Sequence, residues 1–207
     1  LLEGHFDSRS IASSDNQPAN SLIPEYQHQR VLIGCLPYLW IIVDKMKAEG
    51  EHQWISSYHL DSGCTASAAQ DHLVLKAGGD IHHMRFIVPF GNELDVAIES
   101  DWVSRFYNWK QPAKTVRATL RNTSDAALIS VIHSQADGST RVSEAAPVRA
   151  VSESGDSIQG VYSIRLDSHN TITRLIINPE GRALKYDDLE LDAVVAVETR
   201  IDGHLMQ

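Results

Sequence analysis

HQRVLIGCLPYLWIIVDKMKAEGEHQWISSYHL, residues 28–60, decides the fold class of this chain. It reads as two strands, a polar turn and a third strand: Arg30 to Gly34, Tyr38 to Asp44, the turn Lys45 to Gly50, then His52 to Leu60. β-Branched and aromatic side chains dominate it (Val31, Ile33, Trp40, Ile41, Ile42, Val43, Trp54, Ile55, Tyr58), which suits a pleated, half-buried surface. Leu36-Pro37 separates the first two strands, because proline cannot donate into a sheet ladder.

The same grammar extends outward. Toward the N-terminus, Gly4 to Ala12 is a candidate strand, followed by a turn-forming polar loop at residues 13–18. Downstream, Asp61-Ser62-Gly63 turns the chain into a strand at Ala66 to Lys76, with helix as the competing reading for its alanine-rich start. Turns at Gly78 to Asp80, Phe90 to Asn92, Asn108 to Pro112 and Asn122 to Asp125 bound strands at Ile81 to Val88, Glu93 to Glu99, Trp102 to Tyr107, Lys114 to Arg121 and Ala126 to Ser134. KTVRATLR, residues 114–121, alternates cleanly, with Thr115, Arg117 and Thr119 on one face and Val116, Ala118 and Leu120 on the other. Further strands are expected near Val148 to Ser152, Ile158 to Leu166, Thr171 to Ile177 and Ala193 to Arg200, with Tyr186 to Leu191 a short helical turn or a loop. Turn signals about 8 to 12 residues apart predict an all-β, antiparallel, multi-stranded β-sandwich with few or no helices. No fixed repeat and no Gly, Ser or Pro linker divides it, so residues 1–207 are expected to form a single sandwich domain.

The totals exclude several function classes. A formal charge of −9 without clustered Lys and Arg argues against nucleic acid. No run reaches the length of a membrane-spanning helix. The opening at Leu1 has mid-domain character, so the chain is expected to be a fragment of something larger. Cys35 between apolar strands reads as a buried free thiol, with a Cys35–Cys64 disulfide as the alternative.

Motifs for catalysis are sparse. There is no Gly-x-Ser-x-Gly, no phosphate loop and no Cys–His pairing around Cys64. Ten histidines invite a metal, yet His82 and His83 point to opposite faces of a strand, and none has ligand spacing. They are expected to be surface or hydrogen-bonded core residues. The carboxylates at Glu93, Asp95, Glu99 and Asp101, and at Asp187, Asp188, Glu190 and Asp192, read as solvated acidic faces. WVSRFYNW, residues 102–109, is the aromatic exception. As a strand it puts Trp102 and Phe106 on one face and Arg105 and Tyr107 on the other, at least one face being core. Exposed aromatics stack on sugar rings, so Trp102, Arg105 and Tyr107 are the candidate substrate-binding residues.

The order of these features resembles the C-terminal β-sandwich of the heparinase II/III family of polysaccharide lyases. The matching segments are His28-Gln29-Arg30, Ile41-Ile42-Val43-Asp44, Gly50-Glu51-His52 and Tyr58-His59-Leu60. The strand Trp102 to Tyr107, a proline-containing loop and the Thr-rich strand to Leu120 follow, within a span of roughly 26–135. Gln29 and Asn108 depart from the pattern, and His169-Asn170-Thr171 carries a family-like triplet in the wrong place. The resemblance implies a parent enzyme that cleaves uronic-acid-containing polysaccharide by β-elimination, periplasmic or secreted. It implies that the catalytic groups and a divalent metal belong to an upstream N-terminal α-helical toroid and to the sandwich's first strands. This chain would then be a scaffold with no cofactor and no catalytic residue of its own, meeting acidic polysaccharide through its parent. A stand-alone carbohydrate-binding sandwich and a structural interaction domain are the rival readings.

Overall fold

The computed structural model describes residues 2–5, 26–35, 39–88, 92–134, 140–152, 154–158, 160–168, 171–178, 182–187, 189–192, 195–201 and 204–205. Within them the chain is built of antiparallel strands. A large sheet takes β1 (Leu2–His5), β2 (Tyr26–Cys35), β3 (Leu39–His59), β4 (Cys64–Ala68), β5 (Leu73–Ala77), β6 (Asp80–Ile87), β7 (Leu94–Phe106) and β8 (Trp109–Ser134). After β9 (Thr140–Pro147) come β10 (Ala150–Val151), β11 (Ser157–Ile158), β12 (Tyr162–Ser168) and β13 (Thr171–Ile177). The chain finishes with β14 (Leu184–Tyr186), β15 (Leu189–Leu191), β16 (Val195–Ile201) and β17 (His204–Leu205).

The large sheet has the order β1-β2-β3-β8-β6-β5-β4, with β7 also pairing β8. Its axis is the β3–β8 ribbon. β6 lies against one end of β8, at residues 129–134, and β7 against the other, from Leu120 to Trp109. A second sheet runs β17-β16-β13-β12-β9 and a third β11-β10-β14-β15.

Alternation along each strand decides what faces what. Val31, Ile33, Ile41, Val43, Ile129 and Val131 leave one face of the large sheet and meet Tyr162, Ile164, Leu166, Leu175 and Ile177 of the second. Ile176, one residue out of phase, faces the opposite way and packs with Ala150, Ile158, Val161 and Leu184 around the third sheet. The second sheet is therefore the middle layer, buried on both faces. The other face of the large sheet curls on itself, nearly closing as a barrel. Met46, Ala118, Leu120 and Leu128 form one part of its lining, and Leu73, Leu75, Met84 and Val116 the next.

The all-β sandwich is as expected, but several boundaries are not. The predicted turn at Lys45 to Gly50 does not exist: β3 continues through it. So does β8 through Asn122 to Asp125. The two breakers lie side by side, and their register jumps from Lys47↔Asp125 to His52↔Thr123 to Trp54↔Leu120. Extra residues are absorbed as a bulge that bends the ribbon, with Gly50 at φ 81° taking the left-handed position. Side chains claim the freed carbonyls: a His52 ring nitrogen lies 2.7 Å from Glu49 O, and Trp54 Nε1 donates to Thr123 O at 3.0 Å. The predicted strands at Glu93 to Glu99 and Trp102 to Tyr107 likewise merge into β7.

Other readings divide instead. Ala66 to Lys76 is a hairpin, β4–β5, whose turn is closed by Ala69 N donating to His72 O at 2.8 Å. Tyr186 to Leu191 is neither helical turn nor loop but the β14–β15 hairpin, turned at Asp187 with φ 50°. Strand β9 is a strand that the sequence reading does not contain, because its Ser-, Glu- and Ala-rich composition carries no β signal. Of Gly4 to Ala12, only Gly4 and His5 fall in a described strand, and residues 13–18 lie outside the described residues.

Candidate functional site

Two places on the large sheet gather polar or aromatic side chains next to a cavity. The first arises from the β2–β3 hairpin. Arg30 and Asp44 are direct cross-strand partners, on the face opposite Val31 and Val43, so both enter the curl of the sheet. Asp44 is 1% exposed. Its carboxylate accepts from Arg30 Nε at 2.6 Å and Arg30 Nη2 at 2.9 Å, and Ser56 Oγ donates to it at 3.1 Å. His28 Nε2 lies 2.9 Å from Oδ1. A bidentate, charge-assisted pair of this kind is what a buried carboxylate requires.

The network continues inward. Tyr58 Oη lies 3.2 Å from Ser56 Oγ and 2.6 Å from Ser130 Oγ, and Ser130 is fully buried. Hydrogen bonding to Asp44 raises the Arg30 pKa, and burial raises that of Tyr58 despite its two serine partners. Tyr162, buried in the main core, is raised further still, by desolvation alone. Beside this network a cavity of about 130 Å³ is lined by Tyr26, His28, Arg30, Met46, Trp54 and Ile55, together with Asp44 and Ser56.

The second place is the far end of the ribbon, the β7–β8 hairpin. Its turn falls at Tyr107 and Asn108, with Asn108 at φ 62°, a conformation asparagine tolerates better than most residues. Among the described side chains of WVSRFYNW none is buried, contrary to the expectation that one face is core: Trp102 is 60%, Phe106 66%, Tyr107 94% and Trp109 58% exposed. A register shift between Val103 and Phe106 spoils the simple alternation. Phe106 and Trp109, paired across the strands, hold their ring centroids 6.0 Å apart. Trp102 lines a cleft of about 300 Å³ with Cys64, Ser100, Asp101, Pro112 and Lys114. Lys114 Nζ donates to Ser100 Oγ at 3.0 Å.

Alongside the cleft, Thr115 Oγ1 donates to Asp101 Oδ2 at 2.7 Å, and His59 Nδ1 lies 3.0 Å from Thr115 Oγ1 and 3.2 Å from Asp101 Oδ2. The Thr115 hydroxyl, then the Trp102 N–H, hold the Asp101 carboxyl below the ordinary carboxylate range. Down the same face Arg117 pairs Glu99 at 3.2 Å and Arg121 pairs Asp95 at 3.3 Å. The supposed acidic face of β7 is therefore a cross-strand ion-pair ladder.

Of the three sequence candidates, Trp102 and Tyr107 stand at this hairpin, with Trp102 in the cleft. Arg105 belongs to β7, and its side chain lies outside the described ones. The adjacent pair behaves as expected: His82 Nδ1 lies 2.8 Å from Ser134 Oγ, while His83 points to the other face with its ring tilted against His72, centroids 4.9 Å apart. Cys64 carries a free thiol, which removes the Cys35–Cys64 disulfide. Among the described residues no group of three or more His, Cys, Asp or Glu side chains is placed to hold a metal ion.

The sequence reading did not single out the Arg30–Asp44–His28 cluster as a site. The signal was present in the sequence itself: Arg30 and Asp44 are equally distant from Pro37, so antiparallel pairing of the two flanking strands in that register sets them opposite each other.

No family model and no curated protein matches this chain. Among solved structures it is similar to a heparinase III gene product with methylated lysines, with a TM-score of 0.51 at 12% identity. The likeness covers 85% of this chain and 23% of that one, so the chain spans about a quarter of the length of the heparinase III it matches. At that identity the likeness speaks to the fold.

Proposed function

We propose that this chain is the β-sandwich portion of a heparinase II/III-like polysaccharide lyase. In this reading the parent enzyme cleaves uronic-acid-containing polysaccharide by β-elimination in the periplasm or outside the cell. The sandwich serves as scaffold for an N-terminal α-helical toroid that carries the acid, the base and a divalent metal. The observation that carries the reading is the shared fold with a heparinase III over 85% of this chain. It coincides with the segment order from His28 to Leu60 that resembles that family.

The chemistry of the tyrosines is consistent with a scaffold. Elimination needs a group able to take the proton beside the uronate carboxyl, poised near working pH. Tyr162 is buried and Tyr58 half-buried, burial holding both phenols protonated, and His28 is engaged with Asp44. A surface at net charge −9 also favours placing the main polyanion cleft elsewhere.

Ultraviolet absorbance of the unsaturated uronate tests the reading. This chain and its parent would be assayed side by side against heparan sulfate, heparin, alginate and hyaluronan. Activity in the parent alone is expected. Activity in this chain alone would overturn the scaffold assignment, and silence from both would overturn the lyase assignment.

One observation favours a second reading, a carbohydrate-binding sandwich. The exposed Trp102, Phe106, Tyr107 and Trp109 offer flat apolar surfaces of the kind on which sugar rings stack. Retention of this chain on immobilised polysaccharide, lost on Trp102→Ala, would support it.

A further inference from the structure

The cavity beside Asp44 holds one preorganised donor, the Arg30 guanidinium, with N–H groups left over after its pairing. Arg30 binds Asp44 through its Nε–Nη2 edge, and Nη2 also reaches Ser56 Oγ at 3.3 Å. Its Nη1, like Nδ1 of His28, has no partner among the described residues. Both side chains line the same cavity and are partly open to it, at 39% and 29% exposure. The Asp44 clamp fixes the guanidinium plane, so ordering it again on binding costs little. Trp54 and Tyr26 supply aromatic walls, and Trp54 is itself pinned by its bond to Thr123 O.

We propose that this cavity is a subsite for a single carboxylate borne on a saturated ring, as at one uronic-acid unit. The uronic part of that assignment rests on the lyase reading above. A carboxylate oxygen can accept from the remaining Nη1 of the guanidinium, and the ring's apolar face matches the indole. The volume, about 130 Å³, equals roughly four waters and admits a carboxylate with part of one ring, not a polymer strand. Charge narrows the ligand further. Arg30 and Asp44 cancel at contact, and the chain as a whole is at −9, so no long-range field draws a multiply charged anion. The site reads one oxyanion at close quarters.

The test is a two-dimensional NMR titration of this chain with sodium glucuronate, glucose and inorganic sulfate, following the Trp54 indole and the His28 ring. Glucuronate is expected to shift both resonances saturably, with glucose and sulfate leaving them in place. Arg30→Lys, which keeps a cation opposite Asp44, is expected to weaken the response by about tenfold, the worth of one charge-assisted hydrogen bond. Trp54→Phe, which leaves Arg30 untouched, is expected to weaken it as well, and Val197→Ala, at an exposed position of β16, to leave it unchanged. Equal shifts from glucose would overturn the carboxylate assignment. Shifts confined to Trp102 and Trp109, or none at all while the parent still releases unsaturated uronate, would overturn the subsite and leave the lyase reading standing.

Discussion

Arg30 Nε donates to Asp44 Oδ1 at 2.6 Å across the β2–β3 pair, and this contact neutralises a carboxylate that is almost wholly buried. Arg30→Ala would leave Asp44 without its cation and is expected to destabilise the fold by about 3–5 kcal/mol. The double replacement Arg30→Leu with Asp44→Leu is expected to cost much less, because the stranded charge goes too. Urea denaturation of the two variants checks this; equal losses would mean that shape, not charge, governs the site.

Half-buried Tyr58 hydrogen-bonds the fully buried Ser130. Tyr58→Phe is expected to cost about 1–3 kcal/mol by leaving the Ser130 hydroxyl unsatisfied. Burial raises the Tyr58 pKa, so its contribution to stability is complete below the ordinary tyrosine value of about 10 and fades as pH rises through the folded value. A spectrophotometric tyrosinate titration should find the late-ionising Tyr58 and Tyr162, and only Tyr162 in the variant.

Asp101 titrates in the opposite sense. Its pKa is depressed by the Thr115 hydroxyl, so its contribution is present above the ordinary value of about 3.9 and is lost as pH falls through the folded one. Thr115→Val is expected to move the Asp101 carboxyl titration, read by NMR, upward toward that ordinary value. An unmoved midpoint would remove the hydroxyl as the cause.

The exposed aromatics should be dispensable to folding. Tyr107→Ala and Trp109→Ala are each expected to change stability by no more than about 0.5 kcal/mol, as surface positions do. Leu175→Ala, at the centre of the sandwich, is expected to cost about 2–5 kcal/mol. Thermal unfolding of the three variants would show the contrast. A large loss at Tyr107 would mean that its ring packs after all.

Much of the architecture follows from local pattern. The alternation in KTVRATLR correctly separates Val116, Ala118 and Leu120, which line the curl, from Thr115, Arg117 and Thr119 on the ladder face. The same rule fails at Lys45 to Gly50 and Asn122 to Asp125, where polar, turn-forming residues lie inside continuous strands. A turn signal states only that the backbone can leave a strand. Whether it does depends on the neighbour, and here each irregular segment has the other to pair against.

The residues that matter for a site divide in the same way. Strand composition and turn spacing determined that the chain is all-β and antiparallel, because side-chain period and backbone hydrogen bonding are local properties. Tertiary structure alone decided that none of the described side chains of WVSRFYNW is buried. It alone made the acidic run of β7 an ion-pair ladder with β8, and enclosed Asp44, Arg30, Ser56, Tyr58 and Ser130 in one network. Those outcomes depend on how far each strand extends past its neighbours and on how sharply the ribbon bends. Both are set by long-range register, which leaves no mark in any short window of sequence.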